Sequence, residues 1–388
     1  MRKVRVNRKA ADRVASGHPW IFSTDLTDRA DATPGEAVLV LDPSERLLGT
    51  FHYSSTSQIT LRRLSPRHEE IDAAFFRSRI GRALDFRSRT VSRSNACRLV
   101  YAEADGLPAL VVDRYGSYLA VQTLNQGMDR CSGMITAALE ELIQPAAIVA
   151  RNDVSVRKLE SLPQETKVLA GEITGPAEIS MNNLKWNVDL IGGQKTGIYL
   201  DQRENYLAAA RHAVRGSAGL DCFSSTGGFA LHLAGVCDTV EAVDSSENAL
   251  ASAARNAALN GIDNVKFREA DVFDLLAGYG QSGRRFGTIV LDPPAFAKSR
   301  TAIEGAARGY RDINYRALRL LEPGGILVTC SCSHHFSESM LLEVVAAAAL
   351  DAGRTLRVLE RRAQAGDHPV LLTVPETLYL KCLILEVV

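Results

Sequence analysis

The sequence lacks three things: a long apolar run, an excess of charge of either sign, and an even set of cysteines. Its longest apolar stretch, Val344 to Leu350, is alanine-rich and far below the ~18 residues needed to cross a bilayer, so no membrane role is expected. Lys plus Arg equals Asp plus Glu at 45 each, so the overall charge points to no partner. Seven cysteines are scattered over 388 residues, in a chain that opens MRKVRVNRKA with no apolar segment behind its basic start, and they argue for a reducing, cytoplasmic setting. Glycine and proline are modest in number, and 46% hydrophobic residues over this length predict two or three globular domains.

The balanced total hides an uneven distribution. Residues 1–100 hold 18 Lys and Arg against 11 Asp and Glu, with seven arginines between Arg77 and Arg98, a pattern that suits either a polyanion or a solvated helix face. Residues 1–68 read as a small β-rich module, with strand-like runs at 37–41 and 59–64 and punctuation at Gly35, Pro43 and Gly49. GHPWIF (17–22) reads as a turn. A helix is predicted over 73–90, where Phe76, Ile80, Ala83 and Leu84 share one face; it begins a second, α+β module over 69–185. There ALVVDRYGSYLAVQTL (109–124) reads as two strands around a turn at 115–117.

From residue 186 onward the pattern changes. GLDCF (219–223), TVEAVD (239–244), VKFREA (265–270), TIVLD (288–292) and ILVTC (326–330) alternate with helices and end in an apolar run, LYLKCLILEVV (378–388). Continuous hydrophobic strands alternating with helices predict a doubly wound, mostly parallel α/β sheet, which binds ligands beyond the carboxyl ends of its strands. Ser245 or Ser246 is the expected cap of the second helix, Gly261 its left-handed end, and EPGG (322–325) the stop of a later one.

Acids mark the strand ends. Asp221 precedes the turn CFSSTGGF, in which Gly227 and Gly228 let backbone approach a ligand, although the turn matches neither GxGxxG nor GxxxxGK[ST]. Asp244 is suited to accept from a ribose diol and Asp271 to meet an adenine amine; each also reads as a helix cap. Three such acids fit an adenosine without a pyrophosphate, a description met by S-adenosylmethionine. The prolines of LDPPAF (291–296) hold Asp292 rigidly at the same edge, where a carboxylate suits the amidine-like edge of a nucleobase.

VTCSCSHH (328–335) begins in a strand and ends at that edge. A C-x-C pair on a strand stands roughly 6–7 Å apart, wide for a tetrahedral site, and no second pair follows, so no metal is expected. Cys330 continues the alternation of Ile326 and Val328 and reads as core. Cys332 lies beyond it, where a thiolate facing a methyl donor has a specific use: attack on carbon 6 of a pyrimidine makes carbon 5 nucleophilic. His334, His335 or a water are candidates for the base that removes the carbon 5 proton.

GGQKTGIYLDQREN (192–205), LDCFSSTGGFALHLAG (220–235), VDSSENAL (243–250), LDPPAFAKS (291–299), VTCSCS (328–333), DHPVL (367–371) and PETLYLK (375–381) resemble the S-adenosylmethionine-dependent large-subunit ribosomal RNA cytosine-5 methyltransferases. GHPWIF and the β-rich segment around it are similar to their N-terminal PUA domain, and AEADGLPALVVDRYG (102–116) to their central module. The resemblance spans nearly the whole chain. It implies a Rossmann-like class I methyltransferase sheet over 186–388 behind a PUA-like domain (1–68) and the central α+β module. It implies Cys332 as nucleophile, Asp292 as the base-binding carboxylate, and Asp221, Phe223, Thr226, Gly227, Gly228, Asp244 and Asp271 as the cofactor site. Members of that family often carry one cysteine in VTCSCS where this chain has two, so the choice of Cys332 rests on register.

The segment from Lys195 to Arg203 resembles the lead-in to the family's catalytic domain, and Asp201 with Glu204 also reads as a capping pair. Large-subunit ribosomal RNA is the implied partner, held through phosphate contacts from arginines, with the target base out of any stack; a homodimer is left open. Two rivals remain at this point: the same fold methylating a purine nitrogen, which needs no thiolate and usually has an aromatic directly after Pro-Pro, and a non-catalytic RNA-binding assembly factor.

Overall fold

In a computed structural model that describes every residue except Gln194, Lys195 and Lys298, and all side chains but theirs and that of Arg300, the chain separates into two units. One comprises Met1–Asn183, Val188–Ile198 and Gly366–Thr377; the other comprises Leu184–Asn187, Tyr199–Ala365 and Leu378–Val388. Lys195, named in the motif above, lies outside the described residues.

The first unit holds two sheets. A six-stranded sheet runs in the order Trp20–Phe22, Ile59–Ser65, Leu47–Tyr53, Ala37–Leu41, Lys3–Val6, Leu26–Asp28, over a small core of Val4, Ile21, Val38, Val40, Phe51 and Leu61. GHPWIF is therefore not simply a turn. Its WIF forms a three-residue edge strand on Ile59–Ser65, and Trp20 donates from Nε1 to Glu103 Oε1 at 2.8 Å, which gives its buried N–H a partner. A five-stranded sheet follows, built around Leu110–Tyr115 and Tyr118–Thr123. Its cover is the helix Ala73–Thr90, capped by Asp72, whose Phe75, Phe76, Ile80 and Ala83 meet Leu99, Val100, Leu110 and Val112. Burying a phenylalanine or isoleucine there is worth ~1.5–3 kcal/mol each.

The arginine run is only partly a charged surface. Arg98 pairs with Asp113, Arg77 with Glu141, and Arg79 donates to the Leu64 carbonyl; Arg82, Arg89 and Arg93 remain exposed. Arg87, 3% exposed, pairs with Asp105 and donates to the carbonyls of Arg98 (2.8 Å) and Asp367 (2.9 Å).

The second unit is a seven-stranded sheet in the order Val265–Glu269, Thr239–Asp244, Ala218–Cys222, Phe286–Leu291, Leu321–Ser331, Lys381–Val387, Leu356–Arg362. The first five are parallel and the last two antiparallel. Helices cover the parallel part, which is why Phe286–Leu291 is buried at every residue and carries one polar side chain, Thr288. Ser246 caps the helix Glu247–Leu259, and Gly261 at φ +66° closes it, with Ile262 N–H on the Ala257 carbonyl.

EPGG follows the helix end as expected and has a second role in the next strand. The helix Ile303–Leu320 ends before it, and residues 322–325 bulge within the next strand, since Phe286 pairs with Leu321 but Thr288 already pairs with Ile326. No described helix is long and apolar enough to cross a membrane.

Arg87→Met should lower the stability of this protein by about 3–5 kcal/mol in urea titrations, because it leaves the Asp105 carboxylate enclosed without its cation. A loss under about 1 kcal/mol would show that the pair does not hold the helix in place.

Candidate active site

The strand order reverses between Ala218–Cys222 and Phe286–Leu291, and the crevice at their carboxyl ends is where an open α/β sheet holds its ligand. Register brings the chemistry to this point. Cys222 pairs with Leu291, and Leu291 pairs with Thr329, so the residues just after each strand share one edge. Asp292 N–H donates to the Cys222 carbonyl at 3.3 Å.

The turn after the first strand is tightly constrained. Phe223 (φ +62°) and Ser225 (φ +49°) are in the left-handed region that side chains rarely adopt, as is Gly227 (φ +88°). Hydrogen bonds hold them: Ser224 N–H to the Val243 carbonyl (2.9 Å), Ser225 N–H to Asp244 Oδ2 (2.8 Å), Gly227 N–H to the Ser224 carbonyl (2.9 Å). Gly228 must be glycine for another reason, since a Cβ there would overlap the ring of Tyr206. Phe223 packs on the core of the sheet and Thr226 is half-buried in the turn.

Asp221 is fully buried. Its Oδ2 accepts from Ser224 Oγ (2.7 Å) and Ala230 N–H (2.9 Å), while Oδ1 has no partner among the described residues. Burial pushes its carboxyl up to about 7, against the two hydrogen bonds that favour the charged form. An orphaned carboxylate oxygen beside a glycine turn fits a ligand that brings a hydrogen-bond donor or a positive charge, as the amino group of S-adenosylmethionine does.

Asp244 accepts from Ser225 N–H through Oδ2 and from Ser246 N–H (2.9 Å) through Oδ1. It ties the turn to the second strand and keeps lone pairs for a further donor. Asp271 is exposed and caps the helix Val272–Ser282 through Oδ1, on Phe273 N–H (2.8 Å) and Asp274 N–H (3.1 Å). Asp271 thus serves as the helix cap that its place after a strand predicts.

Asp292 is held by residues that motif reading did not single out. Gln202, 2% exposed, donates to Asp292 Oδ2 at 3.0 Å; Asn205 donates to Gln202 Oε1 at 2.6 Å, and Arg362 donates to Asn205 Oδ1 at 2.8 Å. The relay fixes which way each amide points. Gln202 takes the N-cap position of the helix Arg203–His212 without a side-chain cap hydrogen bond, and Asp201 Oδ2 accepts from the Tyr379 hydroxyl at 2.6 Å. Tyr199 marks the convergence: after burial, its hydroxyl is pushed up by Asp292, Asp201, Cys332 and Asp244, in that order. These four groups share one electrostatic neighbourhood.

The two motif cysteines separate cleanly. Cys330 is fully buried opposite Cys382 on the neighbouring strand, and burial pushes its thiol well up. Cys332 is the one cysteine of seven that is not buried. Ser331 and Ser333 on either side are buried around the Tyr310 hydroxyl, at 2.9 and 3.2 Å. His334 and His335 are exposed, His334 with its ring 5.6 Å from that of Tyr379. Phe296, after the double proline, lies between Tyr310 (4.7 Å) and Phe273 (6.2 Å) in an aromatic ladder. No cluster of three metal-ligating side chains forms among the described residues.

The raised Asp221 carboxyl has a sign that can be tested. A folded value above the ordinary one of 3.8 means the native state binds the extra proton, so this group's effect on stability worsens as pH rises from about 4 to 7. Relative to Asp221→Asn, which removes the titration, the parent protein should therefore lose stability over that window by up to about 1.4 kcal/mol per pH unit, measured by urea unfolding. A constant difference from pH 4 to 7 would mean that Asp221 is ionised throughout.

Comparison with known proteins finds matches for both ends of the chain. Residues 4–66 fit a PUA-like domain, and residues 110–384 fit an S-adenosylmethionine-dependent methyltransferase model. A protein of Klebsiella pneumoniae called ribosomal RNA large subunit methyltransferase I is 42% identical, covering 94% of this chain and 93% of its own. Its namesake in Aeromonas hydrophila is 43% identical, covering 95% of each. A solved structure complexed with SAH superposes over all of both chains with a TM-score of 0.86 at 20% identity, which shows the shared fold. The chain belongs to the S-adenosylmethionine-dependent methyltransferase family, with a PUA-like domain at its start.

Proposed function

We propose that this protein methylates carbon 5 of a cytosine in large-subunit ribosomal RNA, using Cys332 as nucleophile. The observation that carries the reading is the accessibility of Cys332 in the same electrostatic neighbourhood as Asp292, while Cys330 is sealed in the strand. The ribosomal substrate follows the relatives' name. Engagement of Phe296 in the aromatic ladder favours this reading over nitrogen methylation, where an aromatic after the double proline would face the base.

S-adenosylmethionine supplies a methyl group on a sulfonium; Asp221, Asp244, Asp271 and the turn from Phe223 through Thr226, Gly227 and Gly228 would hold it. The chain's own residues do the rest. Asp292, oriented by Gln202, accepts from the N4 amine of cytosine and, in its carboxylic-acid form, donates to N3, where charge develops as the thiolate adds. The Cys332 thiolate adds to carbon 6, forming a carbon–sulfur bond and moving the ring's electron pair to carbon 5, which then takes the methyl group. Loss of the carbon 5 proton to a base, His334, His335 or water, lets β-elimination break the bond and restore the thiolate. The segments divide this labour: residues 1–68 and the exposed arginines of the first hundred grip phosphates in the cytoplasm, residues 69–185 form the central module, and 186–388 perform the chemistry.

RNA carrying 5-fluorocytosine should trap a denaturation-resistant adduct, because fluorine cannot leave as a proton does. Cys332→Ala should abolish adduct and turnover, whereas Cys330→Ala should cost about 1 kcal/mol of stability and keep the adduct. An adduct lost only in Cys330→Ala would swap the roles, and turnover in a double alanine variant would remove the thiolate mechanism.

Asp244→Ala should weaken S-adenosylmethionine binding about ten- to hundredfold in calorimetric titration, the value of a charged hydrogen bond. Unchanged affinity in a folded variant would remove Asp244 from the cofactor site.

A further inference from the structure

Lys381 is a buried cation that the mechanism above does not use. It is 6% exposed, and its Nζ donates to the carbonyls of Ser333 (2.6 Å) and Tyr379 (2.9 Å). Among the described residues it meets no carboxylate at ion-pair distance, although a buried ammonium usually has one. Its place in the sheet is specific. Lys381 sits opposite Ser331 in the antiparallel pairing, and its side chain reaches to the carbonyl of Ser333; the residue between these two is Cys332.

We propose that Lys381 is a positioning residue that supplies the positive charge under which Cys332 exists as a thiolate at neutral pH, and that fixes the loop carrying it through the Ser333 carbonyl. This rests on the reading of Cys332 as nucleophile. A cation close to a thiol stabilises its ionised form, and one already dehydrated does so more strongly than one at the surface. Burial pushes the ammonium down to about 8, opposed by Cys332 first and then Glu338, so it is still charged at pH 7. Among the described residues, the other titratable groups near Cys332 include Tyr310 from the helix Ile303–Leu320, Tyr199 from the segment before Arg203–His212, and the exposed imidazoles of His334 and His335. Burial raises both tyrosine hydroxyls, which leaves them neutral across the relevant range. Asp292, which acts on Tyr199 together with Cys332, carries a negative charge when ionised, and Glu338, at the start of the helix Glu338–Asp351, acts on Lys381 by charge. Lys381 thus has the sign needed, and its Nζ is anchored to the residue next to Cys332.

Iodoacetamide labelling of the folded full-length protein, read by mass spectrometry, tests this without requiring turnover, since Cys332 alone of the seven cysteines is not buried. Lys381→Met should slow Cys332 labelling at pH 7 about tenfold, the effect of one unit in thiol pKa. The gap between parent and variant should shrink above pH 8 as the lysine loses its charge. Lys381→Arg should stay within about threefold of the parent, and Lys381→Gln, which keeps a donor for the carbonyls without charge, should be slow like the methionine variant and substitutes for it if that fails to fold. Equal labelling profiles for parent and Lys381→Gln, or equal slowing in arginine and glutamine variants that bind S-adenosylmethionine normally, would overturn the electrostatic role. Slowed labelling together with no fluorocytosine adduct in the parent would instead uphold Lys381 and reject the cytosine-5 reading.

Discussion

The pairing of the first and fourth strands of the second unit is the constraint on which the site depends. With Cys222 opposite Leu291, two chain segments 69 residues apart leave the sheet at one level, one as a glycine turn and the other as a double proline. A one-residue slip would exchange the two faces of the strand and carry Asp221 out of its cage of Ser224 and Ala230. The sheet is therefore a positioning device as much as a core, and its buried apolar strands provide the rigidity that the polar edge needs.

Around that edge, polar groups are enclosed in ways that would be unfavourable elsewhere. Asp221 is buried with an oxygen that has no partner among the described residues, Phe223 and Ser225 adopt left-handed backbone, and a lysine is dehydrated with carbonyls for partners. Each departs from the rules the rest of the fold obeys, and all three flank the strand ends. Concentration of such departures in one place is what a preorganised site looks like, because the surrounding structure supplies the stability that holds them. The relay from Arg362 through Asn205 and Gln202 to Asp292 serves the same end, and satisfies each amide on the way.

Much of this arrangement was legible in the sequence. Continuous apolar strands, glycine turns and acids at strand ends are local signals, and the helix at 73–90 follows from its period and its Asp72 cap. Edge strands were harder. Leu356–Arg362 alternates weakly and carries four charged residues at the solvent edge, and Trp20–Phe22 is too short, behind Gly17 and Pro19, to show a period. Gln202, Asn205 and Lys381 stood inside the recognised motifs, but nothing local showed what each does, since their contacts lie with partners 90, 158 and 48 residues away. Asp271 and the arginine run show the converse: a motif position also serves as a cap, and a basic stretch includes Arg87 and Arg98, which neutralise acids within their own unit.

The central claim is that the convergence of Asp292 and Cys332 at the strand reversal is a carbon 5 chemistry site acting on ribosomal RNA. The most direct measurement incubates the purified protein with methyl-labelled S-adenosylmethionine and large-subunit ribosomal RNA from cells lacking its gene, and identifies the labelled nucleoside by mass spectrometry after digestion. The account predicts label in 5-methylcytidine at one or a few positions. Label confined to a nitrogen-methylated purine would contradict it.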